Sequence, residues 1–516
     1  MHEDTDDLDV QKQPKARVVV PSPHLQEAPK LRVTNALKPR QLIAKFKKSF
    51  EPWKQTSGHR GSFLAAALIT FVGLVASLLH PVLGAVVISL TAYFYLSSPG
   101  MLVVCVACFP VLTSLNSAVF LRDQGTLGVQ FVLIAASYAA LFRMVVKQRL
   151  RPGKLCLLLT IFGILGGLFG ALTSTAPGES VLSVIKFVAP LMPLMFWADQ
   201  LFRRGLGLGP SSYAFAGVLA ATTFGSLLVW FIGLGYTLNK TDFQGLFWHP
   251  QTCGLALGLA CIFSALLPRL PNWLRIGWFF TALVLTLLSW TRTAFIALLV
   301  AAVLIGLWML WQHWRPRFRY GRSIATLSTL GLIASLTTAS ALYASTLKPA
   351  DYLLETSTQL FSEEAYAGAR TFALYRSYDN FVQKPFVGIG FGVPSDPRLL
   401  DPAFAQETSA RIKAGQGSEV LPDKGNAFLA TLEENGVIGG ALWLGFFAYC
   451  LALAAKSGPV GLAVGGYLTI SNLAEATLFS LGGIGMTLWA GMIVAMTIKS
   501  TDLQLTWGWL HLRRQS

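Results

Sequence analysis

The stretch that decides the reading is Asp423–Ala455, "DKGNAFLATLEENGVIGGALWLGFFAYCLALAA". Its second half is an apolar run of membrane-spanning character, and its first half carries adjacent glutamates, Glu433 and Glu434, and four glycines. Acidic side chains two turns into an apolar helix are costly in hydrocarbon and therefore mark a site that needs them.

Working outward, similar apolar runs recur through most of the 516 residues, in a chain that is 53% hydrophobic and 13% charged. A span needs about 20 predominantly apolar residues. Fourteen candidates begin near residues 62, 81, 100, 125, 155, 181, 212, 251, 273, 292, 323, 426, 458 and 480. The expected fold is an all-α polytopic membrane protein of about 12–14 transmembrane helices, the lower number applying if two short runs re-enter rather than cross.

The net charge of +16 does not indicate nucleic-acid binding, because the cations collect in short loops between apolar runs. With the N-terminal tail inside, thirteen Lys and Arg fall in short internal loops, against Arg122, Lys240 and Arg292 in external ones. That asymmetry fits the positive-inside rule. It predicts a cytoplasmic, unstructured tail over 1–58 with a basic juxtamembrane end, spans over 59–346, one long extracytoplasmic loop over 347–425, spans over 426–498 and a cytoplasmic tail over 499–516. The long loop begins with an amphipathic helical pattern, which glycines and prolines end at "PFVGIGFGVPSDP".

The six cysteines all lie in apolar runs and read as small packing residues rather than as a metal or redox site. There is no phosphate-binding glycine loop of the Walker type and no Cys/His cluster, so no cofactor and no metal are expected. Chemistry must then use an activated substrate met in the membrane or outside it. Arg370 and Arg376 lie among Tyr366, Tyr375 and Tyr378, a pairing suited to phosphate and sugar. Six residues of helix place these two arginines on different faces. Arg292 stands at the outer end of a span. Lys186 reads as a snorkelling side chain.

Four ordered elements carry a resemblance. "GNAFLATLEENGVIGG" matches H-[NSQ]-x9-G-x-x-G at Asn426, Gly436 and Gly439, with Gly425 in the histidine position. "RTFALYRSYDNFVQKPFVGIGFG" matches R-x14-P-x-x-G-x-G-x-G at Arg370, Pro385, Gly388, Gly390 and Gly392. "GLFWHPQTCG" and "TRTAF" complete the set. Together they resemble the O-antigen ligase and O-antigen polymerase superfamily of integral membrane glycan transferases.

The resemblance implies a GT-C-like fold and metal-independent, inverting transfer of a polyprenyl-diphosphate-linked oligosaccharide to an acceptor hydroxyl. It implies an undecaprenyl-diphosphate donor, a glycan or lipid-linked acceptor, the bacterial inner membrane and, as a further partner, a chain-length regulator. Arg292, Arg370, Arg376 and Arg411 are the candidates to hold the diphosphate, with Asn426 beside them. Gly425 accepts no proton, so His249, Asp423 and Glu434 are the candidate bases. The missing histidine weighs against a lipopolysaccharide-core ligase and favours an O-antigen or exopolysaccharide polymerase. Protein glycosylation, a flippase or transporter, and a non-catalytic assembly role stand as alternatives.

Overall fold

The computed structural model describes residues 58–117, 119, 126–148, 151–204, 209–236, 242–267, 270–314, 372–401, 403, 404, 406–408, 424, 426–478, 483–496 and 498. The tail over 1–57, the span expected near 323, Arg370, Arg411, Asp423, Gly425 and residues 499–516 lie outside them.

Among the described residues, ten helices precede the long loop. They are α1 (His59–Ser77), α2 (Pro81–Tyr95), α3 (Ser98–Thr113), α4 (Thr126–Gln148), α5 (Lys154–Thr173), α6 (Pro177–Arg204), α7 (Pro210–Phe231), α8 (Pro250–Leu266), α9 (Asn272–Leu288) and α10 (Arg292–Trp314). The loop contributes α11 (Phe372–Gln383) and a 3-10 turn at Pro397–Leu400. α12 (Ala427–Ser457), α13 (Pro459–Ala474) and α14 (Gly485–Met496) follow. No strand is present among the described residues. The protein is an all-α polytopic membrane protein.

Among the described residues, seven helices, α1, α4, α5, α6, α7, α10 and α12, are long and apolar enough to cross a membrane. Several runs read as full spans fold instead as helices of 17 residues or fewer, α2, α3, α8, α9 and α14 among them. A 15-residue helix such as α2 is only about 22 Å long, against a hydrocarbon core of about 30 Å. Proline explains several of these boundaries. Pro81, Pro99, Pro250 and Pro459 occupy the first turns of their helices, where a missing N–H costs nothing. His80, Ser97, His249 and Asn426 supply side-chain acceptors to the first amides.

The core is nearly uniform in chemistry. Trp278, Trp443, Trp489, Tyr213 and Tyr467 are fully buried between helices, while Leu64, Leu127, Phe131, Phe142 and Leu172 are exposed. Such an inside-and-outside apolar surface suits lipid as the surrounding solvent. All six cysteines are unpaired and buried. Close helix contact depends on small residues: a Cβ on Gly217 would lie 2.3 Å from the Phe63 carbonyl oxygen.

Hydrogen bonds between loops gather the elements that matter at one end of the bundle. The Trp248 amide donates to the Ser114 carbonyl after α3, and the Asn116 amide donates to Leu246. The Phe243 amide donates to the last residue of α9, Leu288. Thr291, just before α10, donates through Oγ1 to the Pro250 carbonyl at the start of α8. Tyr467, midway along α13, donates through its hydroxyl to Leu255 of α8. Asn426, at the start of α12, donates through Nδ2 to Leu473 at the end of α13.

Candidate active site

The backbone explains why costly residues sit inside an apolar helix. α12 is not continuous. Gly436 adopts φ 59°, ψ −168°, which interrupts the helix two and a half turns from its start. This conformation is accessible essentially to glycine alone.

The segment Pro385–Gly392 is seated in the interruption. The amides of Ile389 and Gly390 donate to the carbonyls of Glu433 and Glu434 at 2.9 and 3.0 Å. The amides of Val437 and Ile438 donate to the carbonyls of Pro385 and Phe386 at 2.8 and 3.3 Å. These four helix groups are the ones that a regular helix would pair with each other, 437 with 433 and 438 with 434. The loop satisfies what the break exposes, as an apolar environment requires.

The motif glycines are explained by this contact. A Cβ on Gly436 would lie 2.3 Å from the Phe386 carbonyl carbon, and one on Gly388 would lie 2.4 Å from that of Glu434. Both positions have positive φ. Gly390 and Gly392 lie similarly against Ser174 and Ser183 of the α5–α6 region. Ser174 Oγ and the Thr175 amide both donate to the Ile389 carbonyl. Phe391 packs edge-on against Phe162 of α5 and Phe187 of α6, with ring centres 5.9 and 5.5 Å away.

The two glutamates are buried, at 0% and 4% exposure. Lys424 Nζ lies 3.3 Å from Glu433 Oε2 and 2.9 Å from Glu434 Oε1. Glu433 Oε1 accepts from Asn380 Nδ2 of α11 at 2.7 Å, and Glu434 Oε2 accepts from the Gly392 amide at 2.9 Å. Burial alone would lower the Lys424 pKa, but Glu434 and Glu433 beside it raise it above 10.5. α5, the inserted loop and α12 together line a narrow cleft of about 10 Å³, room for about one water; Phe162, Phe169, Val387, Phe391, Glu434 and Asn435 are among its walls.

The remaining sequence candidates divide between two places. Arg376 belongs with the loop: its Nε donates to the Ser395 carbonyl at 3.4 Å, and Asn380 Nδ2 reaches the same oxygen at 2.9 Å. Next to it Asp396 holds Arg398 in a two-pronged pair, and this guanidinium keeps the Asp396 carboxyl below the usual 3.8. Asn426 is a helix cap, its Oδ1 accepting from the Phe428 and Leu429 amides. Gly439 lies beside the Asn435 side chain, within the same helix.

His249 and Arg292 form the second place, joined by the Thr291–Pro250 bond. His249 Nδ1 accepts from the Gln251 amide at 3.2 Å and caps α8. Arg292 is exposed at the first turn of α10. Lys186 is exposed on α6, and Glu475 is buried at the end of α13. Among the described residues, no three of His, Cys, Asp and Glu gather as a metal-binding set.

Residues 277–444 match the family model described as O-antigen ligase. The chain carries an O-antigen ligase domain. This supports its membership of the O-antigen ligase and polymerase superfamily. The matched region of the O-antigen ligase domain contains Arg292, Arg376, Asn426 and both interlocked glycine elements, while His249 lies before it. No curated protein matches the chain.

Two residues of the domain escaped the sequence reading as site members, Lys424 and Asn380. Lys424 adjoins Gly425 and reads there as an ordinary loop cation. Asn380 meets Glu433 across 53 positions, a pairing no local pattern announces.

Proposed function

We propose that the chain is a membrane glycan polymerase or ligase acting on a polyprenyl-diphosphate-linked oligosaccharide. Supporting it above all is the O-antigen ligase domain at 277–444, within which both glycine elements meet backbone to backbone. An acceptor hydroxyl oxygen forms a bond to the anomeric carbon as the carbon–oxygen bond to diphosphate breaks. The diphosphate departs with that electron pair, and attack from the face opposite to it inverts the anomeric carbon. The hydroxyl proton passes to a base, for which Glu434, His249 and Asp423 are the candidates.

Developing charge on the leaving diphosphate needs fixed cations. Arg292, Arg370, Arg376 and Arg411 are assigned that role. Arg292 has the exposure to meet a substrate, and Arg376 is steadied by the Ser395 carbonyl. Glu434 faces the cleft as a carboxylate bound at both oxygens, by Lys424 and by the Gly392 amide. His249 Nδ1 is committed to capping, which favours a positioning part for that ring over proton abstraction. Undecaprenyl diphosphate as carrier, an O-antigen or exopolysaccharide product, a bacterial inner-membrane location with both termini cytoplasmic, and a chain-length regulator as partner complete the proposal.

The test is transfer in vitro, by the purified protein, from lipid-linked repeat units to a matching acceptor. Product from wild type, lost in Arg370→Lys and Arg370→Ala, supports the assignment, because lysine keeps the charge without the planar fork. Absence of product from wild type sinks it. Gly425 in the histidine position favours a second reading, a member that assembles with an active enzyme and transfers nothing itself.

A further inference from the structure

Nothing in the motifs singles out Lys424, yet it is the one described residue that touches both buried glutamates through charge. Its side chain is 11% exposed, while those of Glu433 and Glu434 are 0% and 5%. Each carboxylate then reaches the loop with its other oxygen. Glu433 holds Asn380 on α11, and Glu434 holds the Gly392 amide at the far end of the inserted segment. The three charges therefore clamp both ends of Pro385–Gly392, with the four backbone bonds to α12 between them.

The clamp matters because α12 has a second way to satisfy itself. If the loop withdrew, the carbonyls of 433 and 434 would face the amides of 437 and 438, and rotation at Gly436 would close a regular helix. Both arrangements pair the helix groups, so backbone bonding alone discriminates weakly between them. Withdrawal would, however, leave the carboxylates of Glu433 and Glu434 without Asn380 and Gly392, at a buried position. The charges thus bias the seated arrangement, and Lys424 sets whether those charges are tolerable.

We propose that Lys424 is a positioning residue for glycan transfer: it pairs with Glu433 and Glu434 and thereby keeps Pro385–Gly392, and the arginine-bearing α11 before it, seated in the break of α12. The inference rests on the glycan-transfer reading for its catalytic half alone. Lys424 does not take part in bond making, since its ammonium is already engaged by both carboxylates.

The experiment uses the full chain in detergent or nanodiscs, with two readouts on Lys424→Met, Lys424→Arg, Glu434→Gln and the Lys424→Met/Glu434→Gln double variant. Hydrogen exchange reads the amides of Ile389, Gly390, Val437 and Ile438, and steady-state transfer from polyprenyl-diphosphate-linked repeat units reads kcat and KM. In Lys424→Met these amides should exchange about tenfold faster or more, as for a locally opened segment. Misplacement of α11 should lower kcat by about 10²-fold, with the donor KM little changed. Lys424→Arg should restore much of both, and the amides of the double variant should exchange no faster than those of Lys424→Met alone. Unchanged exchange in Lys424→Met overturns the clamp, and faster exchange with unchanged kcat overturns the positioning role. No transfer by wild type, with exchange still accelerated in Lys424→Met, overturns the transfer reading and upholds the clamp. Should Lys424→Met fail to fold, Asn380→Ala on α11 opens the other end of the clamp and decides by the same two readouts.

Discussion

The Gly390 amide donates to the Glu434 carbonyl at 3.0 Å, taking the bond that Ile438 would make in an unbroken helix. A loop residue thus completes a membrane helix. The two glycine patterns of the sequence are two sides of one backbone contact, beside which the carboxylates of Glu433 and Glu434 are buried.

Glycine substitutions test that contact directly. Gly436→Ala must place a Cβ 2.3 Å from the Phe386 backbone at φ 59°, and Gly388→Ala meets Glu434 in the same way. The conformational strain alone is about 1–3 kcal/mol. Both variants should lower the thermal midpoint in detergent and abolish glycan product. Gly445→Ala, in the same helix with nothing within 4 Å of the added atom, is the control. It should be neutral or gain about 0.5–1 kcal/mol from helix propensity. Equal effects at Gly436 and Gly445 would refute the interlock.

Phe391 anchors the loop on the other side, 3% exposed between Phe162 and Phe187. Phe391→Ala should destabilise by about 3–5 kcal/mol, and Phe391→Leu by less, because leucine refills part of the space. Chemical denaturation followed by intrinsic fluorescence measures both. An Ala variant as stable as wild type would show that the ring contacts carry no weight.

Acid should loosen the segment after the loop. Asp396 has its carboxyl pKa lowered by Arg398, so the pair contributes stability above about pH 3.8 that is lost as pH falls through the lowered value. Arg398 is 54% exposed, which limits the contribution to about 1 kcal/mol at most. Proteolysis or exchange at 393–401, followed from pH 7 to 3, should rise in wild type. Asp396→Asn should show the raised level already at pH 7 and a flatter profile. A wild-type profile identical to that of Asp396→Asn would contradict the pairing.

His249 separates capping from chemistry. Asn keeps a side-chain acceptor for the Gln251 amide but has no titrating ring, whereas Ala keeps neither. His249→Ala should lose about 1 kcal/mol of stability as a cap is lost, and His249→Asn should recover it. We expect transfer to survive in His249→Asn. Loss of turnover there, at unchanged stability and protein level, would return the ring to the list of bases.

Cysteine labelling in intact cells tests orientation. Ser395→Cys should label from outside and Arg322→Cys should not, as the loop charges predict. The reverse pattern would invert the topology.

Much of this protein is legible without coordinates. Apolar runs and prolines announce the helices, because backbone groups in lipid must pair locally and a run of side chains declares that environment. "PFVGIGFG" reads as the end of a helix, whereas Asn426, read as a substrate contact, caps α12. Glu433 and Glu434 could be singled out as costly. What they were for could not, because their partners, Asn380, Gly392 and Lys424, are set by how the chain returns on itself. The sequence by itself determined an all-α membrane protein with glycines where only glycine fits. Tertiary structure alone decided that Gly388 and Gly436 face each other, that α12 is broken there, and that one lysine serves two glutamates. Local pattern fixes which groups need partners; only the three-dimensional path of the chain says which groups supply them.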